Sequence, residues 1–144
     1  MSEPAALSRS RRAFMDSGGY LALLDEDDEH HAEAEQIIAS LGRNRYRQFT
    51  TNALLFESHA LILSRLGIQA ALRFLHDVQS GSTVIVRVAA RDEARAQAIL
   101  RRYTDRRFSY TDALSFAVME RLRISEAFAF DRHFVQYGFQ RLIP

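Results

Sequence analysis

The chain has 144 residues, of which 47% are apolar and 26% charged, with a formal net charge of +1 and no cysteine. This length and composition predict one globular domain with a substantial core, and the absence of cysteine excludes disulfides, zinc–thiolate sites and a cysteine nucleophile. All 19 basic residues are arginine, which excludes chemistries that require lysine, such as P-loop, receiver-domain and Schiff-base enzymes.

The amino-terminal segment lacks the long apolar core of a secretory signal, and no apolar stretch is long enough to span a bilayer. We therefore expect a soluble, cytoplasmic protein. We expect residues 1–10 to form a flexible leader and residues 11–144 to form a single domain. The arginine bias is most simply the mark of a GC-rich genome.

The first half of the chain alternates short strands with helices. The acidic run at 25–29 is interpreted as the solvated start of a helix whose dipole it complements, and Gly42 is expected to end that helix. The predicted elements are a strand at 11–15, helices at 20–24 and 25–41, a strand at 47–51, and helices at 52–66 and 68–79.

The second half repeats the alternation. Residues 83–88 are rich in β-branched side chains and form the clearest strand of the chain. The other predicted elements are helices at 92–103 and 111–122, a strand at 126–130 and a short last strand at 137–143. Strands that alternate with helices, through connections too long for hairpins, predict a three-layer α/β/α sandwich with a mainly parallel central sheet.

Four carboxylates lie beside or inside apolar segments: Asp16, Glu57, Asp112 and Asp131. Asp16 and Asp131 follow predicted strands, which is where ligands bind in parallel α/β sheets. Capping offers a simpler explanation for three of the acids. Asp16 and Asp131 have the position to cap the turns that follow them, and Ser109 with Asp112 has the spacing of a capping box.

Glu57 lies in a helix that is apolar on most sides. The residues three and four positions away are Ala53, Leu54, Ala60 and Leu61, so Glu57 shares their face. We therefore expect this carboxylate to be shielded from water. The alternative to a functional role is a buried salt bridge with an arginine.

The four acids together predict one metal site. If the strands are parallel neighbours, Asp16 and Asp131 emerge at the same edge of the sheet, and the helices that carry Glu57 and Asp112 reach the same cleft. Clustered carboxylates repel one another and are costly to desolvate unless a cation holds them. Hard oxygen ligands suit Mg²⁺ or Mn²⁺ and do not suit Zn²⁺.

The same residues resemble the motifs of the PIN domain, and within it the VapC-type ribonuclease toxins of prokaryotic toxin–antitoxin pairs. The resemblance extends over nearly all of residues 12–143, and no acid of the pattern is missing. The matching segments are Phe14-Met15-Asp16-Ser17 with Leu21-Ala22-Leu23-Leu24-Asp25, Thr50-Thr51-Asn52 followed by Glu57, Phe108-Ser109-Tyr110-Thr111-Asp112-Ala113, Phe128-Ala129-Phe130-Asp131-Arg132-His133-Phe134, and Gly138-Phe139.

The resemblance implies an endoribonuclease that uses Mg²⁺ or Mn²⁺. The four acids would hold the metal directly or through water, and activated water would cut RNA to leave a 5′-phosphate and a 3′-hydroxyl. Ser17 and Thr111 would support the site by hydrogen bonds. The resemblance also implies a homodimer and a cognate antitoxin protein.

Basic side chains are candidates for contact with RNA. Arg132 and His133 directly follow Asp131 and are the best placed, although a structural role explains His133 equally well. Two groups of arginines are more simply interpreted as solvated surface with local ion pairs: the first is Arg43, Arg45 and Arg47, and the second is Arg101, Arg102, Arg106 and Arg107. Two histidines, His30 and His31, are expected to face solvent.

Two other functions compete with a nuclease. One is a catalytically inactive PIN-like module that binds RNA or acts as a scaffold; the intact set of acids disfavours it. The other is a phosphatase with an aspartyl nucleophile. That chemistry needs a second aspartate two residues after the nucleophile and a lysine, whereas this chain has Gly18 at that position and no lysine.

Overall fold

A computed structural model describes residues 11–144, so the predicted leader at 1–10 lies outside the described part of the chain. The strands are β1 (Arg12–Met15), β2 (Arg47–Thr51), β3 (Val84–Val86), β4 (Glu126–Phe128) and β5 (Gln140–Arg141). The helices are α1 (Ser17–Leu24), α2 (His31–Arg43), α3 (Asn52–Leu66), α4 (Ile68–Ser80), α5 (Ala90–Arg102), α6 (Tyr110–Leu122) and α7 (His133–Tyr137). No helix in this part is long and apolar enough to cross a membrane.

The strands form one sheet in the order β3-β2-β1-β4-β5, and each neighbouring pair is parallel. The alternating side chains of β1 face two separate cores: Phe14 packs with residues of α5 and α6, whereas Ala13 and Met15 pack with residues of α1 to α4. Helices therefore cover both faces of the sheet, and the predicted α/β/α sandwich is confirmed.

Three local predictions were wrong. Gly42 does not end its helix, because α2 continues to Arg43 and is capped by Asn44. The acidic run is a turn that precedes α2, because its carboxylates accept hydrogen bonds from their own backbone: Asp25 from the N–H of Asp27 (3.0 Å) and Asp28 from the N–H of His30 (2.8 Å). The predicted strand at 137–143 is mostly absent. Its first residue ends α7, and β5 has only two residues.

A close contact between α1 and β4 depends on Gly19. A Cβ atom added to Gly19 would lie 2.6 Å from the carbonyl oxygen of Phe128 and 2.5 Å from its ring. Such distances are far below van der Waals contact, so any side chain would push the helix away from the strand. Glycine here holds the start of α1, and the acid that caps it, against the middle of the sheet.

Candidate active site

The carboxyl ends of β1 and β4 bring two of the predicted acids to one edge of the sheet. The strands pair in parallel with Met15 opposite Phe128, and Asp16 and Asp131 follow those ends. The backbone N–H of Asp16 donates to the carbonyl oxygen of Phe128 over 3.1 Å. The prediction that both acids emerge at the same edge is therefore confirmed.

Asp16 is the deepest of the four acids, with only 3% of its surface exposed. It caps α1 and accepts a hydrogen bond from the N–H of Gly18 (3.4 Å). Burial, together with the negative charges of Asp131, Glu57 and Asp112, raises the pKa of Asp16 to about 8, although the backbone N–H of Ser17 opposes the shift. Among residues 11–144, neither Asp16 nor Glu57 forms an ion pair with an arginine or histidine.

The raised pKa of Asp16 links the stability of the metal-free protein to pH. The folded state keeps a proton on Asp16 up to about pH 8, whereas the unfolded chain loses it near the ordinary value of 3.8. Between these values the folded state binds more protons than the unfolded state. The free energy of unfolding contributed by this residue therefore falls as pH rises through that window.

Glu57 joins the site from α3 through a hydrogen bond. The hydroxyl of Ser17 donates to Oε2 of Glu57 over 2.9 Å, a contact that the predicted supporting role of Ser17 would require. Partial shielding from water raises the pKa of Glu57; the bond from Ser17 lowers it, and the charges of Asp112 and Asp131 raise it again.

The expected burial of Glu57 was wrong, because this side chain is exposed to solvent. The core side of α3 is formed by Leu54, Leu55, Ser58 and Ile62. Several other apolar residues of the helix lie on the surface, including Phe56 with 68% exposure. The apolar sequence around Glu57 thus includes a surface stripe as well as core.

Asp112, Asp131 and His133 form the most compact group of metal-binding side chains in the described part of the chain. One ligand atom from each lies within 4.8 Å of the other two. Nδ1 of His133 is 2.7 Å from Oδ2 of Asp112 and 4.0 Å from Oδ1 of Asp131. Sequence reasoning named His133 only as a support or substrate contact; its position two residues after Asp131 was the available signal.

Capping and clustering occur in the same residues. Ser109 and Asp112 form the predicted capping box, in which Oδ2 of Asp112 accepts from the N–H of Ser109 (2.9 Å) and the Asp112 N–H donates to Oγ of Ser109 (3.0 Å). Oδ1 of Asp131 accepts from the N–H of His133 (2.9 Å). In each cap, one carboxylate oxygen accepts the backbone N–H, and the other oxygen takes no part in the cap.

Burial raises the pKa of Asp131. The backbone N–H and the charge of His133 lower it, and the charge of Asp112 raises it.

Two further residues predicted for the site, Thr111 and Arg132, have weaker connections to the group of Asp112, Asp131 and His133. The carbonyl oxygen of Thr111 accepts from Oγ of Ser115 (3.0 Å), but the Thr111 hydroxyl makes no hydrogen bond with another described residue; Arg132 is exposed next to Asp131. Their roles stay predictions.

The two arginine groups lie at opposite ends of the sheet. Arg47 begins β2 and pairs with Arg12, so its group lies at the amino end of strands whose carboxyl ends carry the acids. The second group leads into Phe108, whose ring is 5.7 Å from that of His133. All seven side chains are exposed, and none forms an ion pair within residues 11–144. The predicted solvation is confirmed, and the predicted local ion pairs are absent.

His30 and His31 are not the solvent-facing residues that the sequence suggested. The ring of His30 stacks on Phe130 at 4.6 Å, with 7° between the planes. Nδ1 of His31 donates to the carbonyl oxygen of Ala22 over 2.8 Å. Both side chains are partly buried because the turn that precedes α2 folds back against β4 and α1.

The residues of the site fit a divalent cation. Asp16 is buried without a positive partner, and three more carboxylates raise its pKa. Carboxylate oxygens are the donors that Mg²⁺ and Mn²⁺ prefer. A cation among these acids would remove the repulsion and allow all four to ionise together.

Comparison with known proteins agrees with the fold. A model of the PIN domain matches residues 13–140, so the chain belongs to the PIN domain family. Among individual proteins, the chain is 33% identical over 131 residues to the 23S rRNA-specific endonuclease VapC20 in two strains of Mycobacterium tuberculosis. That alignment covers 91% of this chain and 98% of VapC20.

A solved structure shows the same likeness. The crystal structure of Mycobacterium tuberculosis VapC20, a toxin that cleaves the sarcin–ricin loop, matches this chain with a TM-score of 0.86 and 32% sequence identity. The match covers 92% of this chain and 99% of that one. The likeness therefore extends over the whole domain that carries the acids.

Proposed function

We propose that the chain is an endoribonuclease toxin of the VapC type, which uses Mg²⁺ or Mn²⁺ and acts on RNA in the cytoplasm. The observation that carries this proposal is the buried carboxylate of Asp16, which is surrounded by three acids and has no positive partner in the described part of the chain. The likeness to VapC20 supports RNA as the substrate class. It also names the first RNA to test, the sarcin–ricin loop of 23S rRNA.

The proposed roles follow from the contacts. Asp16, Glu57, Asp112 and Asp131 would hold the cation directly or through water, and the cation would supply charge that neutralises the scissile phosphate and lowers the pKa of water. The hydroxyl of Ser17 fixes Glu57. The capping N–H groups fix the carboxylates of Asp112 and Asp131 before any substrate arrives, so little reorganisation is needed during the reaction.

The arginine group at 101, 102, 106 and 107 is the proposed entry surface for RNA. Its members are exposed and lack ion pairs with described residues, and they precede the helix that carries Asp112. Because α5 packs along α6, the end of α5 lies near the start of α6 and therefore near the site. Arginines in such a position attract phosphates and orient the strand.

A second copy of the chain and an antitoxin are the proposed protein partners. The support is an apolar stripe on the hairpin of α3 and α4: Phe56, Leu63, Ile68 and Leu72 are 68%, 41%, 64% and 54% exposed. Large apolar side chains exposed on two helices that pack together are typical of an interaction site. For the antitoxin, copurification with the product of a small neighbouring gene and loss of cleavage in that complex would be decisive.

Cleavage in the presence of metal tests the enzymatic proposal. The purified protein should cut a hairpin that carries the sarcin–ricin loop when Mg²⁺ or Mn²⁺ is present, and EDTA should stop the reaction. Asp16→Asn and Asp112→Asn should abolish cleavage, whereas Asp77→Asn on α4 should not. Metal-independent cleavage that survives in both site variants would refute the assignment, and a binding protein without cleavage would favour the inactive module.

Asp16→Asn also has a stability readout that separates loss of activity from loss of fold. In EDTA the variant should unfold at a higher urea concentration than the parent protein, because it no longer buries an ionisable acid. The gain should be larger at pH 8 than at pH 5, by on the order of 3 kcal/mol. An inactive variant that is also less stable at pH 8 would mean that Asp16 is structural.

The arginine surface is tested by the salt dependence of RNA binding, measured by fluorescence anisotropy in EDTA. Replacing Arg101, Arg102, Arg106 and Arg107 by glutamine should reduce the slope of log affinity against log salt concentration by roughly three, since each phosphate contact in a single strand contributes about 0.7. The matched control replaces Arg43, Arg45 and Arg47 and should leave the slope unchanged. Equal losses in both variants would contradict the surface.

The dimer is tested by sedimentation. The parent chain should sediment as a dimer at micromolar concentration, and Leu72→Glu should convert it to a monomer because the charge would be buried in the interface. Gln36→Glu, which adds the same charge to the exposed side of α2, serves as the control. A parent chain that sediments as a monomer would remove the second copy from the proposal.

A further inference from the structure

The imidazole of His133 is held firmly at the edge of the acidic site. His133 begins α7, and its ring packs edge-on against the ring of Phe108, with the planes at 79°. Its backbone N–H is bonded to Asp131. The first contact positions the ring and the second holds the backbone of the same residue, although 32% of the side chain remains exposed.

Nδ1 of His133 is buried and has no hydrogen-bond partner. Oδ2 of Asp112 is only 2.7 Å away. The two atoms therefore approach closely without meeting the geometry of an N–H···O hydrogen bond. A buried ring nitrogen without a partner requires an explanation, because it loses its bond to water on folding.

The distances around Nδ1 are those of ligands that share one cation. Ligand atoms at about 2.1 Å from a metal lie roughly 3.0 Å apart at right angles and roughly 4.2 Å apart on opposite sides. Nδ1 lies 2.7 Å from Oδ2 of Asp112 and 4.0 Å from Oδ1 of Asp131. Both distances differ from these values by only a few tenths of an ångström, and one ligand atom from each of the three residues lies within 4.8 Å of the other two. The two carboxylate oxygens each accept one capping N–H and keep a second lone pair for a cation.

We propose that Nδ1 of His133 is a ligand of the metal in this site and that it favours Mn²⁺ over Mg²⁺. This inference rests on the proposed metal-dependent function and adds to it a nitrogen donor outside the four acids. Imidazole suits transition-metal ions, whereas Mg²⁺ prefers oxygen ligands. As a ligand, the ring is neutral and carries its proton on Nε2.

A histidine that binds metal and a histidine that only forms an ion pair respond differently to substitution. If His133 only formed an ion pair with Asp112, it would carry a positive charge, and a cation bound nearby would repel it. In that case removal of the imidazole would leave metal affinity unchanged or improve it. As a ligand, its removal lowers affinity, and more strongly for Mn²⁺ than for Mg²⁺.

Pulsed electron paramagnetic resonance of Mn²⁺ bound to the full chain tests the ligand directly, because a coordinated imidazole gives a ¹⁴N modulation of the spin echo. The parent chain should show this modulation, and His133→Gln should lose it. His59→Gln, which changes the histidine two residues after Glu57, is the matched control and should keep it. Calorimetry should show Mn²⁺ affinity reduced at least roughly tenfold in His133→Gln and Mg²⁺ affinity reduced less.

The outcomes separate this inference from the function on which it rests. Bound Mn²⁺ without ¹⁴N modulation in the parent chain overturns the role of His133 and leaves the four-acid site intact. Modulation that persists in His133→Gln overturns it as well. A parent chain that binds neither Mn²⁺ nor Mg²⁺ overturns the metal site and this inference together.

Discussion

Burying the carboxylate of Asp16 beside three other acids is unfavourable unless a proton or a metal cation neutralises it. The fold supplies no internal counterion, since Asp16 has no ion pair with any residue of 11–144. Under the proposed function, the protein would alternate between a protonated metal-free site and an ionised site that contains metal. Stability, metal affinity and nuclease activity would then all depend on which of these states is present.

The same fold that buries Asp16 also fixes the positions of the four acids. Asp16 lies at the end of the middle strand, with its backbone N–H bonded to β4. Gly19 lets α1 approach β4 closely, and the hydroxyl of Ser17 connects α1 to Glu57 on α3. The carboxylate of Glu57 is thus fixed by a hydroxyl from another helix, and the other three carboxylates are fixed by backbone N–H groups of the caps that they form. A carboxylate that caps a helix or turn keeps lone pairs for a cation on both of its oxygens. Capping and metal binding are therefore compatible explanations of the same residues.

Much of the fold follows from the sequence because its signals are local. The boundaries of β2 and α3 are examples. The strand ends at Thr51, which caps the helix that begins at Asn52, and Gly67 with its positive φ ends that helix; these boundaries are as predicted. The run at 25–29 was misjudged because composition alone does not reveal that short acidic side chains bond to their own turn. The helix α7 was missed because its five residues carry too little periodicity to distinguish a helix from a strand.

The site was only partly predictable for a similar reason. The order of the acids along the chain follows from strand ends and helix starts, so the sequence identifies Asp16, Asp112 and Asp131 as neighbours once a parallel sheet is assumed. Exposure is a property of the assembled surface, and so the burial expected for Glu57 was wrong. The approach of His133 to Asp112 depends on α6 and α7 meeting beyond the sheet, which no local pattern specifies.

Proton release on metal binding tests the central claim most directly. Calorimetric titrations of Mn²⁺ into the parent chain at pH 7, in buffers of different ionisation enthalpy, count the protons expelled. Because the pKa of Asp16 is raised to about 8 in the metal-free protein, binding should release close to one more proton from the parent chain than from Asp16→Asn. The excess should vanish as the pH is raised well above 8. Binding with no excess proton release at pH 7 would show that Asp16 is already ionised and would contradict the account.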